Sequence, residues 1–389
     1  MQKRKNLDRV LSEVAERYTV EPADSVKEEV MIDFLKSAYA GRPAADNYRD
    51  KAQAIRRQQW LKLKNPNLNN EQSISWVARD RKSGALVGHF GIMPISLKYK
   101  ESSYPAAWGI DLIVPRKFRK SGIASFLASS VLKNTKDKLG LFLLAGANDY
   151  VVSKVFKKVG FMHLGHIPLY VRVNRLGNIL QKKMPLAILA RFLSIIGEGA
   201  LRLFYIPSYI RAFKYKKSGI VLTKIEKFDK SFDKLWEKAS PGFPLATKRD
   251  STTLNWRFVD QPCWKYRIFK AGDGLGGETK GYIVLRTGKS RGLNAGIISD
   301  LFARADDIRT IAALTNFAVK YFEKKSDIDL IRCDILHKGF SRVLKRLGFI
   351  NIRSGSHFLA ANASRGMDAR FVADRANWFI TYADSDLDL

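Results

Sequence analysis

Apolar and polar positions along the chain change period repeatedly, and the changes predict an ordered series of elements. Residues 26–39 and roughly 48–64 read as helices, the second rich in Arg and Lys. "SISWVARD" and "ALVGHFGIMPISLKY" alternate as strands around a turn at Ser83-Gly84, and "AAWGIDLIV" is a third strand. A helix then runs to about Lys133. "GLFLLAG" reads as a buried strand and "DYVVSKVFKKV" as a helix ended by Gly160. "FMHLG" and "LYVRVN" close this unit with short strands.

The second half repeats the order: strand "GIVLTKI", helix "SFDKLWEKA", a hairpin of "WKYRIFK" and "KGYIVLRT", then strand "GIISDLFA". Helix "DIRTIAALTNFAVKYF", strand "IDLIRCDI" and helix "FSRVLKRL" follow. The repeat also shows in letters. "SKVFKKVGF" ends at Phe161 and "SRVLKRLGF" at Phe349, 188 positions on; "DLIV" starts at Asp111 and "DLFA" at Asp300, 189 positions on. Two matches at nearly one spacing mark a duplicated α+β unit.

Between the copies, residues 184–217 are apolar, but Arg191, Glu198 and Arg202 interrupt them, which argues against a transmembrane helix. Two readings stay open: an amphipathic connector packed on the protein, or an interfacial helix with Arg211, Lys214, Lys216 and Lys217 beside Tyr and Phe. The expected organisation is a helical extension at 1–19, a first domain at 20–175, the connector at 176–218 and a second domain at 219–362. A strand and acidic tail occupy 363–389.

Charge changes the picture. Sixty-eight Lys and Arg stand against 37 Asp and Glu, a net charge of +31. That excess suits an anionic partner, such as nucleic acid, an acidic glycan, a phospholipid surface or a phosphorylated cofactor, or else a solvated basic surface. Cys263 and Cys333 are far apart and form no CxxC pair, so neither a disulfide framework nor a cysteine zinc site is expected. The first residues carry charges throughout, so no secretory signal is expected and a reducing cytoplasm fits.

The chemistry concentrates in "VPRKFRKSGIAS", residues 114–125. Arg116, Lys117, Arg119 and Lys120 crowd the start of a helix whose dipole is already positive there. A strand, a basic loop with Gly122 and a helix with the small Ala124 make a phosphate grip from free amides and cations.

Arg119, Gly122 and Ala124 (R-x-x-G-x-A after a strand) resemble the acyl-coenzyme A loop of the GNAT N-acetyltransferase family. The order of elements from about 20 to 173, with "LFLLAG", Asn148 and a helix ending in "KKVGF", resembles it too. The resemblance implies two GNAT-like mixed-sheet domains in tandem, joined by the helical connector. It implies a sheet splayed between strands 108–114 and 141–146, with pantetheine in the gap. Main-chain groups of Leu112, Ile113 and Val114 would hold it, near Asn148. The pyrophosphate would sit on the amides of Arg119, Lys120, Ser121, Gly122, Ile123 and Ala124. The co-substrate would be acetyl-CoA or another acyl-CoA, with no metal.

Departures exist. One extra residue separates Pro115 from Arg119, and the family's thiolate-protonating tyrosine falls at Phe156, so that role passes to Tyr150 or to water. Asp111 is the carboxylate on strand 108–114. The resemblance offers it as general base, with burial between Ile110 and Leu112 raising its pKa. Asp300 in the matching place, without a phosphate loop, offers instead a structural role shared by both copies. The second copy has Asp306 and Asp307 where the first has cations, so it is expected to bind no coenzyme A.

The implied activity is N-acyl transfer to an amine, an amino sugar or anionic acceptor among the candidates. "TLNWRFVDQP" (253–262) resembles a stretch of tandem GNAT-like proteins, some linked to cell-surface polysaccharide synthesis. Two rivals remain: a Fem-type transferase using aminoacyl-tRNA, which the charge suits and the intact loop opposes, and a non-catalytic binding protein at a glycan or membrane surface. "GDGLGG" (272–277) joins two strands and reads as a hairpin loop rather than a nucleotide fingerprint. His163 and His166 have ligand-like spacing without a visible carboxylate or cysteine cluster, so a loop or core role is favoured. The acidic "DSDLDL" folds onto a basic patch of the protein or stays solvated.

Overall fold

The computed structural model describes residues 2–41, 48–68, 73–183, 187–216, 219–274, 277–352, 355–362 and 366–388. Its helices are α1 (Gln2–Arg17), α2 (Glu28–Tyr39), α3 (Lys51–Leu63), α4 (Ile123–Thr135), α5 (Asp149–Val151, running into a π turn at Val152–Phe156) and α6 (Leu176–Lys183). There follow α7 (Ala187–Lys216), α8 (Ser231–Ala239), α9 (Ser251–Leu254), α10 (Ile308–Glu323), α11 (Lys338–Arg346) and α12 (Ala369–Ala373).

Two sheets carry the fold. Strands β1 (Tyr18–Pro22), β2 (Ser75–Asp80), β3 (Leu86–Tyr99), β4 (Ser102–Ile113), β5 (Leu141–Ala145) and β6 (Met162–His166) belong to the first. β7 (Leu169–Val173) leaves it. β8 (Ile220–Ile225), β9 (Leu245–Thr247), β10 (Arg267–Asp273), β11 (Thr279–Ser290), β12 (Leu293–Ala303), β13 (Leu330–Leu336), β14 (Ile350–Ile352), β15 (His357–Asn362) and β16 (Trp378–Thr381) complete the set. The first sheet runs β1-β2-β3-β4-β5-β15-β6 and the second β8-β10-β11-β12-β13-β7-β14. β9 and β16 bridge them, β9 on β3 and β16 on β13.

The duplication is visible in register. β4 pairs in parallel with β5 from Ala106↔Leu141 to Gly109↔Leu144, and β12 with β13 from Ala295↔Leu330 to Ile298↔Cys333. Each pair stops there and splays.

The two units are not separable at the linear boundaries read from the sequence. β7, assigned to the domain ending at 175, hydrogen-bonds β13 and β14; β15, assigned to the second domain, inserts between β5 and β6. Each copy's late strand fills the matching slot in the other's sheet. Periodicity shows that a strand exists and which residues alternate, but carries no address for its partner.

A second tie joins the helical sides. Trp60 of α3 and Trp256, just after α9, stack at 4.6 Å. Each indole donates to the other's carbonyl, at 2.8 and 3.3 Å. Both rings are buried. The connector is helical as expected. α7 is anchored on β7 by Tyr205, whose ring stacks under the Arg172 guanidinium at 3.5 Å and whose hydroxyl accepts from the Val173 amide at 3.1 Å. Among the described residues no helix is long and apolar enough to cross a membrane. Lys217, the side chains of Arg191, Lys214 and Lys216, and residues 275–276 of the "GDGLGG" loop lie outside the described residues.

Candidate functional site

Where β4 and β5 part, a cleft of about 1210 Å³ opens. Its shape starts with a bulge. β3 and β4 lose register between His89↔Ile113 and Gly91↔Ile110, so β4 carries one extra residue at Asp111–Leu112. Asp111 takes φ +52°, a left-handed conformation that re-aims the backbone. The second copy has a bulge at Ser299–Asp300 but no positive φ there.

Beyond the bulge the chain turns at 116–118, passes through Lys120 (φ +66°) and Gly122 (φ +86°), and enters α4. Gly122 is the N-cap, and no side chain caps α4. The first amides of this 13-residue helix therefore face the cleft with no side-chain acceptor, beside exposed Arg119 and Lys120. The second copy closes the same position itself: Asp307 caps α10 by accepting from Thr310 N. Its splay is filled by β16, which pairs Thr381 and Ile380 with Ile335 and Leu336 of β13.

Of the residues expected at the site, Asp111, Leu112, Val114, Arg119, Lys120, Ser121, Gly122, Ile123, Ala124, Asn148 and Tyr150 all line the cleft. Ile113 does not. Its side chain is buried with Val77, Tyr39 and Tyr48; the role expected of Ile113 is a main-chain one, which side-chain direction does not decide. Asn148 lines the cleft, but its carboxamide oxygen already accepts from Val151 N at 2.9 Å as the cap of α5. Tyr150 stands exposed at the rim. Phe156 is buried against Phe90 and Phe161, at 6.3 and 5.3 Å between centroids.

Gly122 has a second reason to be glycine. A Cβ there would come within 2.6 Å of Val14 Cγ2, because α1 lies across the loop and forms one wall with Val10, Glu13, Val14 and Arg17. The close approach expected of a ligand is in part an approach by the protein's own helix.

Asp111 overturns its expected pKa. Burial pushes the carboxyl up, but the Arg57 guanidinium, 2.9 Å away, and His89 outweigh it and hold the group below the usual range. Tyr39 donates to its other oxygen at 3.2 Å. Asp300 is built alike: Arg249 lies 3.4 Å away and Tyr282 donates at 2.7 Å. The shared structural role is the one the geometry repeats.

A different carboxylate reaches the cleft. The C-terminal acidic segment is drawn into the protein: Asp384 pairs with Arg249 at 2.7 Å and Asp388 with Arg286 at 2.6 Å. Asp386, between them, lines the cleft beside Asp111. Burial and then the Asp111 charge push its pKa up to about 7, against Arg57 and the amides of Asp386 and Asp111. The sequence reading missed Asp386 and Arg57. Arg57 had a signal: with Ala54, Gln58 and Leu61 it occupies the buried stripe of α3 at helical spacing. Asp386 had none beyond its acidity, since its place depends on contacts far along the chain.

No family model matches the sequence, and no curated protein matches it. Solved structures do. A GCN5-related N-acetyltransferase from Anabaena variabilis is 12% identical, covering 89% of this chain and 73% of its own, with a TM-score of 0.57. An N-myristoyltransferase from Saccharomyces cerevisiae with bound myristoyl-CoA is 14% identical over 89% and 79%, also at 0.57. A probable N-acyltransferase from Enterococcus faecalis is 12% identical over 88% and 72%, at 0.55. The likeness is one of fold: two GNAT-type mixed-sheet units in tandem.

Proposed function

We propose that the chain is an acyl-CoA-dependent N-acyltransferase whose active site is the cleft of the first unit. One observation carries this reading: splayed strands β4 and β5 end beside a helix N-terminus that has free amides, flanking cations and no side-chain cap. That combination suits an extended thiol arm ending in a diphosphate. The fold neighbours support it, since they include an N-myristoyltransferase with bound myristoyl-CoA. The cleft also exceeds the roughly 300–1,000 Å³ of ordinary small-molecule pockets.

In this reading the diphosphate lies on the amides of 120–124 with the side chains of Arg119 and Lys120, because the Arg119 amide, expected in this set, already donates to Arg116 O at 3.3 Å; the thioester lies at the bulge of β4. The acceptor amine attacks the thioester carbonyl. Asp386 takes the amine's proton, because a carboxyl poised near pH 7 serves as a base where the ion-paired Asp111 does not. Backbone amides at the bulge other than that of Asp111, which donates to Asp386, stabilise the developing oxyanion. The carbon–sulfur bond breaks and the thiolate takes a proton from Tyr150 or water. Asp111 and Arg57 hold the bulge and tune Asp386. The second unit, its splay filled by β16, serves as scaffold.

The acceptor is proposed as an amine on an anionic or amino-sugar molecule, in keeping with the net charge of +31. A membrane-side location is supported by α7, which exposes Leu203, Phe204, Ile206 and Ile210 next to a cationic hollow of Arg211, Arg342, Lys345 and Arg346. The deciding experiment compares melting temperature with and without acetyl-CoA and myristoyl-CoA, followed by thiol release on adding amine acceptors. A rise with either thioester supports the reading and indicates chain length. Absence of any rise or binding with both sinks it.

A further inference from the structure

β6 and β15 meet near the edge of the first sheet, one from each half of the chain. His166 pairs with His357 and Gly165 with Phe358, but the next pair is His163 with Leu359. β6 therefore carries an extra residue at Leu164–Gly165, and Gly165 takes φ +96° there. In a regular strand, residues three apart face opposite sides. The extra residue re-phases the strand, so His163 and His166 share a face with His357.

Three of the chain's five histidines are thus gathered. Their ring centroids lie 4.3 Å (His166–His357), 5.0 Å (His163–His357) and 5.7 Å (His163–His166) apart. One ligand nitrogen from each lies within 4.8 Å of the others. Nε2 of His163 is 2.9 Å from Nδ1 of His357, and Nε2 of His357 is 2.8 Å from Asp149 Oδ1. In the tautomer whose Nε2 proton donates to that carboxylate, Nδ1 of His357 is a lone pair facing Nε2 of His163. A carboxylate behind the far nitrogen is how ligating histidines are oriented.

We propose that His163, His166 and His357 bind one divalent transition-metal ion of the zinc class, with Asp149 orienting His357. Imidazole sets favour zinc-like ions over magnesium or calcium, and three protein ligands leave a fourth position for water. Lys157 and Arg375 also face the cluster, Lys157 toward His163 and Arg375 toward both His163 and His166. Asp149 offsets their charge and is exposed, so the site opens to solvent. The ion would staple the exchanged strand β15 to β6. It would also steady the loop at the cleft rim, because Asp149 sits between Asn148 and Tyr150. The proposal does not depend on the acyltransferase reading.

The test uses the full chain, stripped with chelator and titrated with ZnCl2 by calorimetry, and with CoCl2 by visible absorption. One equivalent of zinc, a raised melting temperature and the bands of tetrahedral cobalt are expected. His163→Gln and His357→Gln should each weaken binding at least tenfold, and the double variant should lose it. Asp149→Asn, on an exposed side chain that cannot unsettle the core, should weaken it about 10–100-fold. No stoichiometric binding, binding that survives the double variant, or an equal response to MgCl2 would overturn the assignment.

Discussion

Arg57 Nη1 lies 2.9 Å from Asp111 Oδ2, and both side chains are almost wholly buried. The pair joins α3 to the bulge of β4, where Asp111 lines the cleft. Arg57→Leu would strand a buried carboxylate, at a cost of about 3–5 kcal/mol. The double variant Arg57→Leu/Asp111→Leu should recover much of that loss in urea denaturation. A double variant no more stable than the single would show that the ion pair is not what matters there.

Asp386 sets a pH dependence. Its folded pKa is about 7, against an ordinary 3.8. Between those values the unfolded chain has released the proton while the folded chain keeps it. The group's contribution to stability is therefore complete below about pH 4 and fades as pH rises through about 7. Acyl transfer should run the other way, with kcat/KM rising through pH 7 as the base ionises. Asp386→Asn should remove both limbs and lower kcat by about 10²–10⁴-fold. An unchanged acidic limb in that variant would exclude Asp386 as the base.

Arg119→Glu/Lys120→Glu tests the anion grip without disturbing the core, since both side chains are exposed and such changes cost within about 0.5 kcal/mol. A ligand at 100 times its Kd stabilises the folded state by about 2.7 kcal/mol. That thermal shift with coenzyme A should vanish in the variant while the unliganded melting temperature holds. A shift that persists would place the diphosphate elsewhere. Gly122 variants are the poorer probe, because an added side chain meets Val14 of α1 first.

The reciprocal stack of Trp60 and Trp256 should couple the two halves energetically. Trp60→Ala and Trp256→Ala should each cost about 3–5 kcal/mol. A double-mutant cycle should return a coupling of about 0.5–3 kcal/mol. Strict additivity would mean that the rings stabilise only their own units.

Much of this protein is local and so was legible in its letters. Element order, the duplication at a spacing of 189, and the cationic turn at 116–124 before α4 all follow from short-range pattern. Eleven of the twelve candidate residues line the cleft, because they sit on one strand end, one loop and one helix start that the pattern identifies. The twelfth, Ile113, buries its side chain in the core with Val77 and Tyr48. What only the tertiary structure decided is which distant segments meet. Hydrophobic period does not encode a strand's partner, so the exchange of β7 and β15 was invisible, and with it the meeting of His163, His166 and His357. Net charge does not encode burial, so an acidic terminus could not be read as a cleft wall. Nor could Asp111, bare in the sequence, be known to face Arg57, whose field lowers one carboxyl while burial raises its neighbour Asp386. Ionisation answers to surroundings within a few ångströms in space, and those surroundings come from residues dozens to hundreds of positions away along the chain.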